Sequence, residues 1–134
     1  MGIAKTKAKL DSIFSQFIRL RGSNDEGWGE CFTCGRGRLR HWKEVDCGHF
    51  ITRAKLATRW MEENCQFQCK QCNMNGGQQY VFGKNLDMKY GEGTAERILL
   101  ESNQNKKWTV AELEEKVRYY RQRVNEIKAQ RGME

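Results

Sequence analysis

Proline is missing from all 134 residues, and only two histidines occur, His41 and His49. The lack of proline fits a helix-rich chain and decides little more. No run of about 18 apolar residues exists, so no segment is expected to span a membrane. The first residues carry lysines without an apolar stretch behind them, so no signal peptide is expected. Apolar residues make up only 38% of the chain, below the usual share for a globular domain. A large self-sufficient core is therefore not expected, and such chains often rely on a metal or a partner subunit. Internal repeats and low-complexity segments are absent as well.

Cysteine, in contrast, is plentiful: six residues, four of them in two CxxC knuckles, Cys31–Cys34 and Cys69–Cys72. Without a secretory signal, paired knuckles read as metal ligands in a reducing cytoplasm rather than as disulfides. Zinc favours four thiolates at about 2.3 Å in a closed tetrahedron, and two CxxC turns supply them with no open position for a catalytic water. Cys31, Cys34, Cys69 and Cys72 are thus the expected ligands of a structural Zn2+. Cys47 and Cys65 are spare and read as ordinary buried thiols. A competing assignment would pair one of them with His49 as zinc ligands.

Charge is abundant and uneven. The net charge is +7; residues 1–60 hold 12 basic and six acidic side chains, residues 61–134 hold 12 and 11. A basic first half that contains the knuckle region suggests a polyanion, most simply nucleic acid. The plain alternative is a soluble basic protein.

The periodicities predict an α+β chain of one domain, 1–134. Residues 4–21 read as an amphipathic helix through Leu10, Ile13, Phe14, Phe17 and Ile18, stopped by the turn residues 22–27. The metal-organised middle, 28–91, holds short strands at 45–51 and 65–69. In the second, Cys65 and Phe67 share one face, and Gln66 and Gln68 the other. A helical pattern follows Asn73, interrupted at Gly76-Gly77 and ending near Gly91. The C-terminal part, 92–134, reads as a short helix over 95–101 and a long one. The long helix opens with a capping box, Thr109 to Glu112, and Trp108 and Leu113 are spaced as a hydrophobic staple. Val110, Leu113, Val117, Tyr120, Val124 and Ile127 then form a heptad seam of about two and a half heptads. It serves either packing on the first helix or a homodimer.

Between the knuckles lies Asp46-Cys47-Gly48-His49-Phe50, and Asn73 follows the last knuckle cysteine directly. Gly48 leaves room beside the backbone. An imidazole suits proton removal from water near neutral pH. A hard divalent cation on oxygen ligands can stabilise the charge of phosphodiester cleavage. Arg36, Arg38, Arg40 and Lys43 precede this strand, and Arg53, Lys55 and Arg59 follow it. Contacts of these residues to phosphates would fix position without reading sequence, leaving DNA shape as the source of selectivity. His41, beside Trp42, reads as a surface residue or a DNA contact.

The runs ECFTCG, DCGHFITR and RWMEENCQFQCKQCN, followed by GG, resemble the HNH, or ββα-metal, nucleases. More narrowly, KLDSIFSQFIRLR, CGHFITR and the spacing of Asn73 to GG are similar to the lambdoid-phage NinG (Rap) recombination endonucleases, over about residues 8–100. The resemblance implies a small zinc-stabilised ββα-metal core flanked by helices. It assigns His49 as general base, Asn73 as ligand of a catalytic Mg2+ or Mn2+, and Asn64 as brace of the loop behind His49. Many relatives carry a metal-binding Asp or His directly before the histidine; here that residue is Gly48. Either Asp46 replaces it through a bulge, or Asn73 is the only protein ligand. Three functions remain open: an endonuclease for branched recombination DNA, a general nicking endonuclease assisting DNA packaging or mobility, and a non-catalytic zinc-ribbon DNA-binding module.

Overall fold

Helix α1 (Ile3–Arg21) forms because Leu10, Phe14, Phe17 and Ile18 recur at helical spacing, and all four are buried. Arg19 and Arg21 in its last turn complement the helix dipole. The chain is represented by a computed structural model that describes residues 2–35 and 37–134. Two antiparallel pairs follow α1. The first joins β1 (Trp28–Glu30) to β2 (Leu39–His41). The second joins β3 (Asp46–His49) to β4 (Cys65–Gln68), with Asp46 opposite Gln68 and His49 opposite Cys65. Four helices complete the chain: α2 (Lys70–Met74), α3 (Gln79–Tyr90), α4 (Thr94–Ser102) and α5 (Val110–Arg131). The architecture is thus mixed, helices around two small two-stranded sheets.

The capping box closes as expected, Glu112 N–H donating to Thr109 Oγ1 at 3.1 Å and Thr109 N–H to Glu112 Oε1 at 2.9 Å. Leu113, Val117, Tyr120 and Val124 of α5 are buried in one cluster with α1. Phe14 and Tyr120 meet edge to face with ring centroids 4.9 Å apart. The heptad seam is therefore covered within the chain; each such buried side chain contributes about 1.5–3 kcal/mol. Trp108 lies beside this cluster, but its indole N–H also bonds the Leu56 carbonyl at 3.0 Å and its ring meets Trp60. The entry to α5 is thereby tied to the loop that joins β3 to β4.

Both central strands are shorter than their sequence runs. The Ile51 N–H is taken by Asn64 Oδ1 at 2.8 Å, which ends β3 at His49. Cys69 donates its N–H to Cys31 Sγ at 3.3 Å and caps α2, which ends β4 at Gln68. The glutamine face of β4 is buried too. Gln66 donates to Glu63 O and Tyr90 Oη at 3.1 Å each, and Gln68 donates to Thr33 Oγ1 at 3.1 Å and Gly77 O at 2.9 Å. The glutamine face is thus covered in part by the segment after α2. Gly76 and Gly77, at φ 74 and 77, make the turn that brings this cover into place. A second small core, Phe82, Leu86 and Ile98, packs on Phe32 and Phe50 under α3 and α4.

Candidate functional site

Cys31, Cys34, Cys69 and Cys72 come together from the segment after β1 and the start of α2, their sulfurs all within 4.8 Å of one another. Cys34 and Cys69 sulfurs are 3.8 Å apart, matching the edge of about 3.8 Å for a tetrahedron with 2.3 Å zinc–sulfur bonds. N–H groups already point at the sulfurs, Cys34 to Cys31 and Cys72 to Cys69 at 3.5 Å each. Burial disfavours a thiolate at Cys31, but the N–H groups of Cys69 and Cys34 and the Thr33 hydroxyl together outweigh it. The Cys31 pKa is lowered to about 6. Burial and the neighbouring sulfurs push Cys34 up to about 12. Four converging sulfurs, aided by aimed donors, can hold a structural zinc.

A separate cleft of about 890 Å3 opens between α1, β3 and the α2 turn. Its walls include His49, Asp46 and Asn73, together with Asp11, Arg19 and Lys43. His49 Nε2 lies 3.0 Å from the Arg59 carbonyl. A carbonyl only accepts, so in the neutral ring Nε2 carries the proton. Burial lowers the His49 pKa, and nearby Arg53 lowers it further; the Arg59 carbonyl opposes both. The ring is held neutral, the state a base requires.

Asp46 and Asn73 meet directly: Asn73 Nδ2 donates to Asp46 Oδ2 at 2.9 Å, and Lys70 Nζ lies 2.7 Å from Oδ1. The Lys70 ammonium neutralises the Asp46 carboxylate, and the Asn73 amide faces it through its N–H. The helix after the second knuckle carries Asn73 to Asp46, whereas sequence spacing alone left that approach open.

Gly48 does not leave the room expected of it. A Cβ there would run into the Gln68 carboxamide, so Gln68 fills the place of a larger residue before the histidine. Asn64 is fully buried and clamps the intervening loop. Its Nδ2 donates to Ile51 O at 3.1 Å and Thr58 O at 3.0 Å, while its Oδ1 takes the Ile51 N–H.

The candidate phosphate contacts divide. Arg38, Lys43, Arg53 and Lys55 are exposed and Arg40 is half-buried; Lys43 and Arg53 line the cleft. Arg36 lies outside the described residues. Arg59 is held differently. Its guanidinium turns inward to Asp11, with Nε 3.1 Å from Oδ1, and both side chains are only 18% exposed. An isolated carboxylate at the cleft wall needs a partner, and Arg59 supplies it instead of facing solvent. His41 is half-buried, with its ring edge to face against Trp28 and its Nδ1 accepting the Lys43 N–H at 3.3 Å.

Asp11, Arg19 and Lys70 went unnoticed in the sequence as cleft residues. The available signal was Asp11 as the sole acidic residue of α1, four positions before Ser15 and eight before Arg19, hence on one face. Arg19 bonds the Trp42 carbonyl at 3.0 Å and Ser15 Oγ at 3.0 Å, tying α1 to the other wall. No helix among the described residues is long and apolar enough to cross a membrane.

No curated protein and no solved structure matches the chain. Residues 4–130, nearly the whole sequence, match the family described as Bacteriophage Lambda NinG protein. That match takes in α1, both knuckles, the cleft and most of α5, and the chain belongs to the NinG family.

Proposed function

We propose that this chain is a metal-dependent DNA endonuclease of phage recombination, built on a ββα-metal core and acting on branched DNA. The observation that carries the reading is a single cleft lined by a neutral, oriented His49 and by the adjoining Asp46 and Asn73 side chains. Membership of a phage family supports the setting. The order β3, β4, α2 also matches what the nuclease resemblance implies.

In this reading His49 Nδ1 takes a proton from water as its oxygen attacks the phosphorus, and the 3′ oxygen departs. The Arg59 carbonyl holds the ring tautomer, and Asn64 holds the loop that carries Arg59. Asp46 and Asn73 would hold Mg2+ or Mn2+, which supplies charge stabilisation at the phosphate and leaving oxygen. Lys43 and Arg53 line the cleft as phosphate contacts, and Arg19 adds positive charge to its wall. Branched DNA presents closely spaced backbones to such a cleft, so selection is by shape.

The test is cleavage of a labelled four-way junction and its matching linear duplex with Mg2+ or Mn2+. Wild type should cut the junction preferentially, and His49→Ala should lose about 10²–10⁴-fold in rate while keeping its knuckle zinc. Equal cutting of both substrates would favour a general nicking enzyme. One observation favours a non-catalytic DNA-binding module: the Lys70 ammonium already neutralises Asp46. Tight junction binding without cutting under either metal would establish that module instead.

A further inference from the structure

Strand alternation places Cys47 and His49 on the same face of β3. On that face a further set of donors converges: Cys47, His49 and Cys65 offer ligand atoms all within 4.8 Å of one another. Cys65 is opposite His49 in the ladder and fully buried, and its thiol lies 3.7 Å from the same Arg59 carbonyl that His49 meets. Cys47 and His49 both line the cleft, so an ion has a route in. None of these three residues belongs to the knuckle tetrad.

We propose that Cys47, His49 and Cys65 form a second, soft-metal site that binds Zn2+ and withdraws His49 from proton transfer. Two thiols and an imidazole suit zinc and discriminate against magnesium or calcium. On binding, both thiols release their protons to solvent, and two thiolates balance the ion's charge in the buried pocket. The fourth position is left to water, as in three-ligand zinc sites. A zinc-bound His49 has donated its lone pair, so it cannot also accept a proton from water. The cleft would then carry two metal preferences, hard oxygen at Asp46 and soft sulfur and nitrogen at Cys47 and His49. The inhibitory consequence rests on the nuclease reading; the site itself does not.

The experiment counts metal on the full chain without DNA. Wild type loaded with excess Zn2+ and dialysed should retain about two ions per chain. Cys47→Ser and His49→Ala should each retain half that amount. Co2+ titration of wild type alone should show thiolate–cobalt absorption continuing to rise past the first equivalent, a readout that needs no variant to fold. Saturation of wild type at one zinc, or retention of two zinc ions by both variants, would overturn the site. Absence of nuclease activity leaves the count unchanged, and a count of one leaves the cleavage assay unchanged, so the two failures are distinguishable.

Discussion

The knuckle tetrad and the neighbouring cleft are built on different terms. In the tetrad the sulfurs come from two tight local turns, face each other directly and are met by N–H groups and the Thr33 hydroxyl, which favour thiolate at Cys31. The cleft draws on α1, β3, the intervening loop and α2, and many of its polar atoms are already engaged. Asp46 holds Lys70 and Asn73, Asp11 holds Arg59, and His49 holds a carbonyl. The first arrangement locks a structure. The second keeps exchangeable partners in place until something stronger arrives, which a binding or reactive site requires.

That contrast can be broken most severely at the knuckles. Stripping zinc with a strong chelator should unfold the chain, because apparent zinc binding energies of about 10–16 kcal/mol exceed the stability of most small domains. Far-ultraviolet circular dichroism and thermal melts would record it, and zinc should restore the fold. Retention of a native melt after complete removal would show that the α1–α5 core suffices alone.

Next in size is Asn64→Ala. It leaves the Ile51 N–H and the Ile51 and Thr58 carbonyls unpaired inside the loop, at a cost of about 2–4 kcal/mol. Denaturant melts should show the loss with zinc content unchanged. Asp11→Ala should follow at about 1–3 kcal/mol, since it strands a largely buried Arg59. It should also slow cleavage by loosening the segment whose carbonyl orients His49. A rate unchanged in a variant of lowered stability would separate Asp11 from the site.

The pH response sharpens the same comparison. Burial keeps the folded His49 pKa below 6.5, so the neutral base persists below the ordinary histidine range. The acid limb of the cleavage profile should therefore lie below pH 6.5. The sign for stability is opposite to that of a paired histidine. The unfolded chain binds the proton first, so His49 costs stability as pH falls through 6.5 toward its lower folded value. His49→Gln should flatten that part of the stability curve. The smallest effect is expected at Lys70→Gln, which frees Asp46 from an exposed ammonium and should tighten Mg2+ or Mn2+ binding modestly. Weaker metal binding in that variant would mean that Lys70 positions the carboxylate rather than competing for it.

Much of the fold was legible because its signals are local. The capping box at Thr109 and Glu112, the apolar spacing of α1, and two CxxC turns each act within a few residues, so spacing alone locates them. The heptad seam was equally visible, but its partner was not. Whether Tyr120 meets Phe14 of the same chain or a second copy depends on where α1 lies. What covers the glutamine face of β4 was not legible for a related reason. Gln66 and Gln68 share a face by alternation, but only packing brings Tyr90 and Gly77 to their amide N–H groups.

The cleft marks the same boundary. Sequence by itself supplied its candidate residues: His49 between two knuckles, a nearby carboxylate, an asparagine after the last cysteine and a basic surrounding. Tertiary structure decided which of these touch. It brought Asn73 to Asp46, turned Arg59 inward to Asp11, filled the space beside Gly48 with Gln68, and gathered Cys47 and His49 of β3 with Cys65 of β4. Ligand type is a property of single residues and can be read from their order. Coordination, burial and charge pairing depend on distances between segments far apart in the chain, and these arise only when the helices and strands pack.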